Sequence, residues 1–154
     1  NYSVSGLNNQ NGALNDKTDP DTSKRRAIGA KMYSEFRNLN TDKFISAVAR
    51  NDGVNTDTAT SAVNHVLYSK YSLFDTKTYG RTIRRFDPSY DMAQSLQRLR
   101  LGNPVQADII MLKHEALEAK YMDQQGMGYE QAHALANQKY DYGRAISIWK
   151  EEHK

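Results

Sequence analysis

The sequence contains no cysteine and no long apolar segment, and these two absences exclude several classes of protein. Without cysteine among its 154 residues, the chain can form no disulfide and can perform no thiol redox chemistry, which fits a protein that works in a reducing cytosol. No apolar run approaches the roughly 18 residues that a membrane-spanning helix needs, and no signal peptide is visible. The sequence therefore predicts a domain with no membrane span.

Apolar residues are also scarce, at 38% of the chain, and the mean hydropathy is −0.81. The length suits one domain with its own core and is too short for two ordinary domains. Residues 1–22 are rich in Asn, Gly, Asp and Ser, and they cannot bury enough surface to offset the entropy of ordering. We expect residues 1–22 to be a flexible linker or arm and residues 23–154 to form the functional domain. Because the chain begins without Met, we also expect it to be a piece of a longer protein.

Most of the remaining chain has the periodicity of amphipathic helices, with apolar residues three and four positions apart. Helix starts are predicted at Ser23, after the cap Thr41, at Thr56 or Asp57, at the cap Asp87, at Ala107 and near Tyr129. Aromatic and β-branched residues around a polar turn predict a small hairpin or extended element near residues 72–86. The predicted fold class is mostly α, a single compact helical domain of about six helices with this one small β element.

Positive charge is concentrated in one part of the chain, although the net charge is only +3. The segment from Lys70 to Arg100 holds seven basic residues against three aspartates, a formal charge of +4. A basic face with interleaved tyrosines is typical of a surface that contacts nucleic-acid phosphates and bases. The candidate substrate-binding residues are Lys70, Arg81, Arg84 and Arg85. The alternative is an ordinary solvated face.

The segment KHEALEAKYMDQQGMGYEQAHALANQKYDY, residues 113–142, holds the densest group of residues that can carry chemistry. His114 and Glu118 are four residues apart, so they share one face of a helix and could share a proton or a metal ion. Glu115 points about 100° away and is either a general base or a solvated neighbour. His133 lies on the next helix, and it can meet His114 only if the connecting loop tilts that helix back.

Two further residues are candidates for the same site. His65 lies beside the apolar stripe of its helix, either at the edge of the core or on the surface. Asp91 lies in the first turn of its helix, where a carboxylate also stabilises the helix dipole. The candidate catalytic residues are therefore His65, Asp91, His114, Glu115, Glu118 and His133.

The pattern His-Glu-x-x-Glu differs from the His-Glu-x-x-His pattern of zinc peptidases. In those enzymes two imidazoles bind the metal and the Glu is the general base, whereas here Glu118 stands at the position of the second imidazole. The spacing does not decide between a metal-free histidine site and one that binds a divalent metal ion as cofactor. In the metal-binding version the candidate ligands are His114 and Glu118, with His133 or Asp91 as a third. A dense carboxylate cluster is lacking, which favours a histidine site or a softer metal over magnesium.

Three segments in order carry a resemblance to a known group of proteins. They are NHVLYSKYSLFD (64–75), RRFDPSYDMAQSLQRL (84–99) and LKHEALEAKYMDQQGMGYEQAHALANQKYDY (112–142). Together they resemble the C-terminal toxin domains of bacterial polymorphic toxins, the variable tails of Rhs-repeat and contact-dependent growth inhibition proteins. The resemblance covers roughly residues 60 to 142 and does not identify a subfamily.

This resemblance implies an antibacterial effector that is secreted as the tail of a larger protein and acts in the cytoplasm of a competing cell. Most such tails are nucleases, and each is neutralised in the producing cell by a dedicated immunity protein. The inhibitor is expected to be acidic because the face that it covers should be basic. The domain is expected to be a monomer in complex with that inhibitor.

Two functions from different classes follow. The first is a nuclease that cleaves DNA or RNA, in which the histidines and carboxylates act as general acid and base or hold a metal ion that activates water. The arginines would stabilise the charge of the phosphoryl oxygens. The alternative is a zinc-peptidase-like enzyme or a non-enzymatic helical module that binds nucleic acid or protein.

Overall fold

A computed structural model describes residues 22–75 and 77–154, and this part of the chain is helical except for one hairpin. The elements are α1 (Thr22–Asn38), α2 (Thr41–Ala49), α3 (Thr56–Leu67), β1 (Tyr71–Asp75), β2 (Gly80–Arg84), α4 (Tyr90–Arg100), α5 (Gln106–Gln125), α6 (Tyr129–Lys139) and α7 (Tyr142–Glu152). The mostly α fold class and the small hairpin are confirmed. There are seven helices in the described residues rather than about six, because the predicted last helix is divided at Tyr140 and Asp141.

Four helices, α2, α3, α4 and α7, begin after a short polar side chain that accepts an unpaired N–H group of the first turn. Asn40 caps α2 by accepting from the backbone N–H of Lys43, so the predicted cap, Thr41, is in fact the first helical residue. Ser89 caps α4 in place of the predicted Asp87. Because the helix starts after residue 89, the carboxylate of Asp87 is available for an ion pair instead.

Helix α5 is the centre of the fold, packed against α3, α4, α6 and α7. It ends at Gly126, whose φ of 68° is left-handed backbone that glycine adopts without strain. Only residues 126–128 separate α5 from α6. The polar residues on the covered faces of α5, among them His114, Glu115 and Glu118, are therefore buried, whereas Lys113 and Lys120 are exposed.

The hairpin is a two-stranded antiparallel sheet, with a register from Tyr71 opposite Arg84 to Asp75 opposite Gly80. A small second core of Leu73, Phe86, Met122, Tyr129 and Ala132 fastens it to α5 and α6. The main core contains residues of six helices, namely α1, α2, α3, α4, α5 and α7. The hairpin is therefore held against the helices that carry the candidate site.

Two expectations concern the chain as a whole. The predicted arm, residues 1–22, lies outside the described residues except for Thr22, with which α1 begins. Within the described ranges, none of the helices combines the length and the apolar character that crossing a bilayer requires.

Candidate metal centre

Five titratable side chains from distant parts of the sequence meet between α3, α5 and α6. They are His65, His114, Glu115, Glu118 and His133, and we call them the His/Glu cluster. Four of them are at most 2% exposed, and the side chain of His133 is 27% exposed. Charged groups are seldom buried to this extent unless they are paired or bind a metal. The cluster therefore has a composition that a purely structural core does not need.

Glu118 lies at the centre of the cluster and contacts all three histidines. Its Oε1 is 2.8 Å from Nε2 of His65. Its Oε2 is 3.1 Å from Nε2 of His114 and 3.0 Å from Nδ1 of His133. The contact between His114 and Glu118 that their spacing predicts is thus present, and the tertiary structure adds two more imidazoles to it.

The ring of His114 is oriented by the backbone on its far side. Its Nδ1 donates a hydrogen bond to the carbonyl oxygen of Tyr140 at 2.8 Å, since a carbonyl can only accept. Nε2 consequently faces the cluster. Metal-binding imidazoles are commonly held in one tautomer by a partner of this kind.

One face of the cluster has the dimensions of a metal site. Nε2 of His114, Nδ1 of His133 and Oε2 of Glu118 form a triangle with sides of 3.0, 3.1 and 3.3 Å. Bonds of about 2.0–2.1 Å to a tetrahedral zinc ion place neighbouring ligand atoms about 3.3–3.4 Å apart. The three predicted ligands could therefore hold a metal ion with little movement. The condition for contact between the two imidazoles is met, because α6 folds back far enough to bring His133 to His114.

His65 completes the cluster from α3. Its Nδ1 is 2.7 Å from the hydroxyl of Tyr71 on β1, and its ring packs edge-on against Tyr71 and Phe86. Because the residue is only 1% exposed, the alternative of a surface histidine is wrong. His65 is an interior residue whose Nε2 points at a carboxylate.

Glu115 also directs its carboxylate into the cluster. Its Oε2 is 3.6 Å from Nε2 of His114, and its Oε1 is 3.9 Å from Nε2 of His65. Within the described residues Oε1 has no hydrogen-bond partner, although it is buried. The alternative that Glu115 is a solvated neighbour is wrong, because α5 is enclosed on adjacent faces by other helices.

Burial and charge act differently on the ionisable groups of the cluster. Burial raises the pKa of Glu115 well above its ordinary value, and the charge of Glu118 raises it further. Burial also acts to raise the pKa of Glu118, but hydrogen bonds from His114, His133 and His65 outweigh it and hold that pKa well below its usual range. Burial lowers the pKa of His114, yet its hydrogen bond to Glu118 and the charges of both carboxylates raise it to about 9. The carboxylate of Glu118 thus requires positive charge beside it, from protons or from a metal ion.

The cluster is open to solvent on the side of His133. His133 is the partly exposed member, and its ring stacks on Tyr129 with the centroids 5.5 Å apart. A surface cleft of about 250 Å³, lined in part by Asn64, Ser69 and Lys120, borders His65, but the side chain of His65 is fully buried. Water and small ions can therefore approach the cluster at His133 without any separation of the helices.

Two of the predicted substrate-binding arginines are already paired with carboxylates. Arg81 forms an ion pair with Glu130 at 3.0 Å, and Arg84 forms one with Asp87 at 3.0 Å and also donates to the carbonyl of Phe74. These pairs reduce the positive charge that the hairpin offers to a ligand. The pair of Arg81 with Glu130 also docks the hairpin on α6, one turn from His133.

The other two predicted basic residues differ in this respect. Lys70 and Arg85 are exposed, and in the part of the chain that the structure describes neither forms a salt bridge. Both are chain neighbours of residues that touch His65, namely Tyr71 and Phe86. Burial lowers the pKa of Arg37, and the positive charge of Arg85 lowers it further. The positive charges of Lys70 and Arg85 would favour the binding of an anion in this region.

Asp91 is not brought to the cluster. Both of its carboxylate oxygens accept from Nζ of Lys150 on α7, at 3.0 and 3.1 Å, so its predicted place as a catalytic residue or third ligand is not supported by the geometry. Conversely, the hydroxyl of Tyr71 and the carbonyl of Tyr140 orient two of the imidazoles, and sequence reasoning assigned them no such role. A backbone carbonyl leaves no signal in a sequence.

The chain matches no known protein-family profile, no curated protein and no solved structure.

Proposed function

We propose that this domain is a metal-dependent nuclease and the toxic tail of an antibacterial effector. The observation that carries the enzymatic part is the triangle of His114, His133 and Glu118, whose donor atoms are 3.0–3.3 Å apart around a point where one ion fits. The setting as a toxin with an immunity protein is supported by the resemblance of residues 60–142 to polymorphic toxin tails.

A metal ion held there would activate water and withdraw charge from a phosphoryl oxygen. The chain itself contributes the geometry. Tyr140 holds His114 with Nε2 inward, and the partial exposure of His133 leaves one side of the triangle open to a substrate. Mixed imidazole and carboxylate ligands with one open position are typical of catalytic rather than structural metal sites.

Phosphate binding is assigned to Lys70 and Arg85. Neither side chain forms a salt bridge in the described residues, whereas Arg81 and Arg84 are paired with Glu130 and Asp87. Nucleic acid fits this combination of a metal site and a nearby uncompensated positive region better than a peptide does.

The salt dependence of nucleic-acid binding tests this assignment. Replacing Lys70 and Arg85 with Ala should lower the slope of log affinity against log salt by about 1.4–1.8, because each lost phosphate contact removes about 0.7–0.9. The double variant Arg81→Ala, Arg84→Ala is the matched control with the same change in charge. It should alter the slope much less, and a larger effect in the control would place the phosphates on the paired arginines instead. Binding can be measured by fluorescence anisotropy with labelled DNA and RNA.

The proposed activity is tested by incubating the purified domain with plasmid DNA and with total RNA. We expect cleavage of at least one substrate with Mn²⁺ or Zn²⁺, its loss in EDTA, and its return when the ion is restored. The variant His153→Ala is the control, since His153 is exposed and stacks on Trp149 outside the cluster. Cleavage that persists in EDTA would replace the metal mechanism with general acid–base catalysis by the histidines. Hydrolysis of peptides without cleavage of nucleic acid would establish the peptidase alternative.

The proposed biological role rests on the resemblance to polymorphic toxin tails. The domain would act in the cytoplasm of a competing cell after delivery as the tail of a larger protein. An acidic immunity protein would neutralise it in the producer by covering Lys70 and Arg85, because complementary charge speeds and orients association.

A further inference from the structure

We propose that the His/Glu cluster binds two metal ions, bridged by the carboxylates of Glu115 and Glu118. This inference deepens the proposed function and rests on the same site. It assigns ligands to a second ion that the triangle of His114, His133 and Glu118 does not include.

The first observation is that the two oxygens of Glu118 face different histidines. Oε2 contacts His114 and His133, while Oε1 contacts His65 at 2.8 Å. A carboxylate that serves one ion needs only one of these directions. With imidazole nitrogens at both oxygens, Glu118 has the arrangement of a bridging ligand.

The second observation is that Glu115 repeats this division. Its Oε2 is on the side of His114 at 3.6 Å, and its Oε1 is on the side of His65 at 3.9 Å. These distances are too long for hydrogen bonds but suit ligand atoms that share a metal ion rather than a proton. Both glutamates thus lie across the same two positions.

The third observation is the unpartnered oxygen. Oε1 of Glu115 is buried and accepts no hydrogen bond within the described residues, and leaving such an atom unsatisfied in the interior is costly. It forms a group with His65 and Glu118 whose ligand atoms all lie within 4.8 Å of one another. An ion in that group would satisfy the oxygen directly.

The ligand sets then follow from the atoms that face each position. The first ion would take Nε2 of His114, Nδ1 of His133 and Oε2 of Glu118, with Oε2 of Glu115 lying on its His114 side, 3.6 Å from that nitrogen. The second ion would take Nε2 of His65, Oε1 of Glu118 and Oε1 of Glu115. Tyr71 supports the second position as Tyr140 supports the first, because it provides an oxygen for the outer nitrogen of His65.

Charge and donor type define the ions and their purpose. Three imidazoles with two carboxylates and no thiolate suit Zn²⁺, Mn²⁺, Fe²⁺ or Co²⁺, whereas Mg²⁺ and Ca²⁺ prefer oxygen ligands alone. Two divalent ions exceed the charge of two carboxylates, so the centre would keep a net positive charge for a phosphodiester. Paired ions stabilise both the attacking and the leaving oxygen of a phosphoryl displacement.

Metal stoichiometry tests the proposal without reference to activity. The domain is stripped with EDTA, reloaded separately with Co²⁺, Zn²⁺ and Mn²⁺, desalted, and analysed for metal per chain. We expect two ions in the unmodified protein and in His153→Ala. His65→Asn should lose the second ion and His133→Asn the first. Each variant should therefore retain one ion per chain, a twofold loss. Circular dichroism of each variant shows whether it is folded.

The unmodified protein decides the question even if a variant fails to fold. A content of one ion, with no magnetic coupling in the Mn²⁺ electron paramagnetic resonance spectrum, overturns the dinuclear centre and leaves a mononuclear nuclease intact. A content of two, with coupled spins, supports it whether or not nucleic acid is cleaved. Absence of bound metal overturns both metal assignments, and cleavage in EDTA would then identify a metal-free nuclease.

Discussion

Glu118→Gln is expected to abolish metal binding and to reduce nuclease activity by on the order of 10³-fold or more. Glu118 is the only residue of the His/Glu cluster that contacts all three histidines. Gln has nearly the same size and a similar helix propensity, so α5 should persist. What is lost is the negative charge at the centre and one of the two equivalent oxygens.

The measurements are metal content, cleavage rate and inhibition of bacterial growth on expression. Glu130→Gln is the matched control, because Glu130 is an exposed glutamate of α6 that pairs only with Arg81 among the ion pairs of the described residues. His114→Ala, Glu118→Ala and the double variant should be equally inactive, since residues that act as one unit are not additive. Full activity of Glu118→Gln with soluble, folded protein would move the active site elsewhere.

Loading with metal is expected to raise the melting temperature of the domain by about 10 °C. The ligands come from α3, α5 and α6, so an ion binds the folded state and has no preformed site in the unfolded chain. An ion at about a thousand times its dissociation constant stabilises the folded state by about 4 kcal/mol, and for a domain of this size each kcal/mol shifts the melting temperature by about 2–4 °C.

Differential scanning fluorimetry of EDTA-treated protein, with and without added Zn²⁺ or Mn²⁺, measures this shift. His153→Ala should show the full increase and Glu118→Gln almost none. An equal melting temperature in EDTA and in excess metal would mean that the cluster is stabilised by its own protons and hydrogen bonds. The same result would contradict the metal-dependent mechanism.

Local patterns determined much of the fold. Helix α5 was predictable because an apolar line at helical spacing precedes glycines that end it, and the observed start at Gln106 lies one residue before the predicted Ala107. The hairpin was predictable from aromatic and β-branched residues around a polar turn. The pairing of His114 with Glu118 was predictable from their spacing, since residues four apart on a helix are neighbours. Each of these interactions spans only a few residues, so spacing alone specifies it.

Other features depended on contacts between distant segments. The sequence could not show that His65 reaches Glu118, because those residues are 53 positions apart and lie on different helices. It could not show that Glu115 is buried, since that depends on which faces of α5 the other helices cover. Nor could it separate the paired arginines, Arg81 and Arg84, from the available charges of Lys70 and Arg85. Composition and helical periodicity are local properties that determined the helices of this protein, whereas the packing of α3, α5 and α6 decided which side chains form a site.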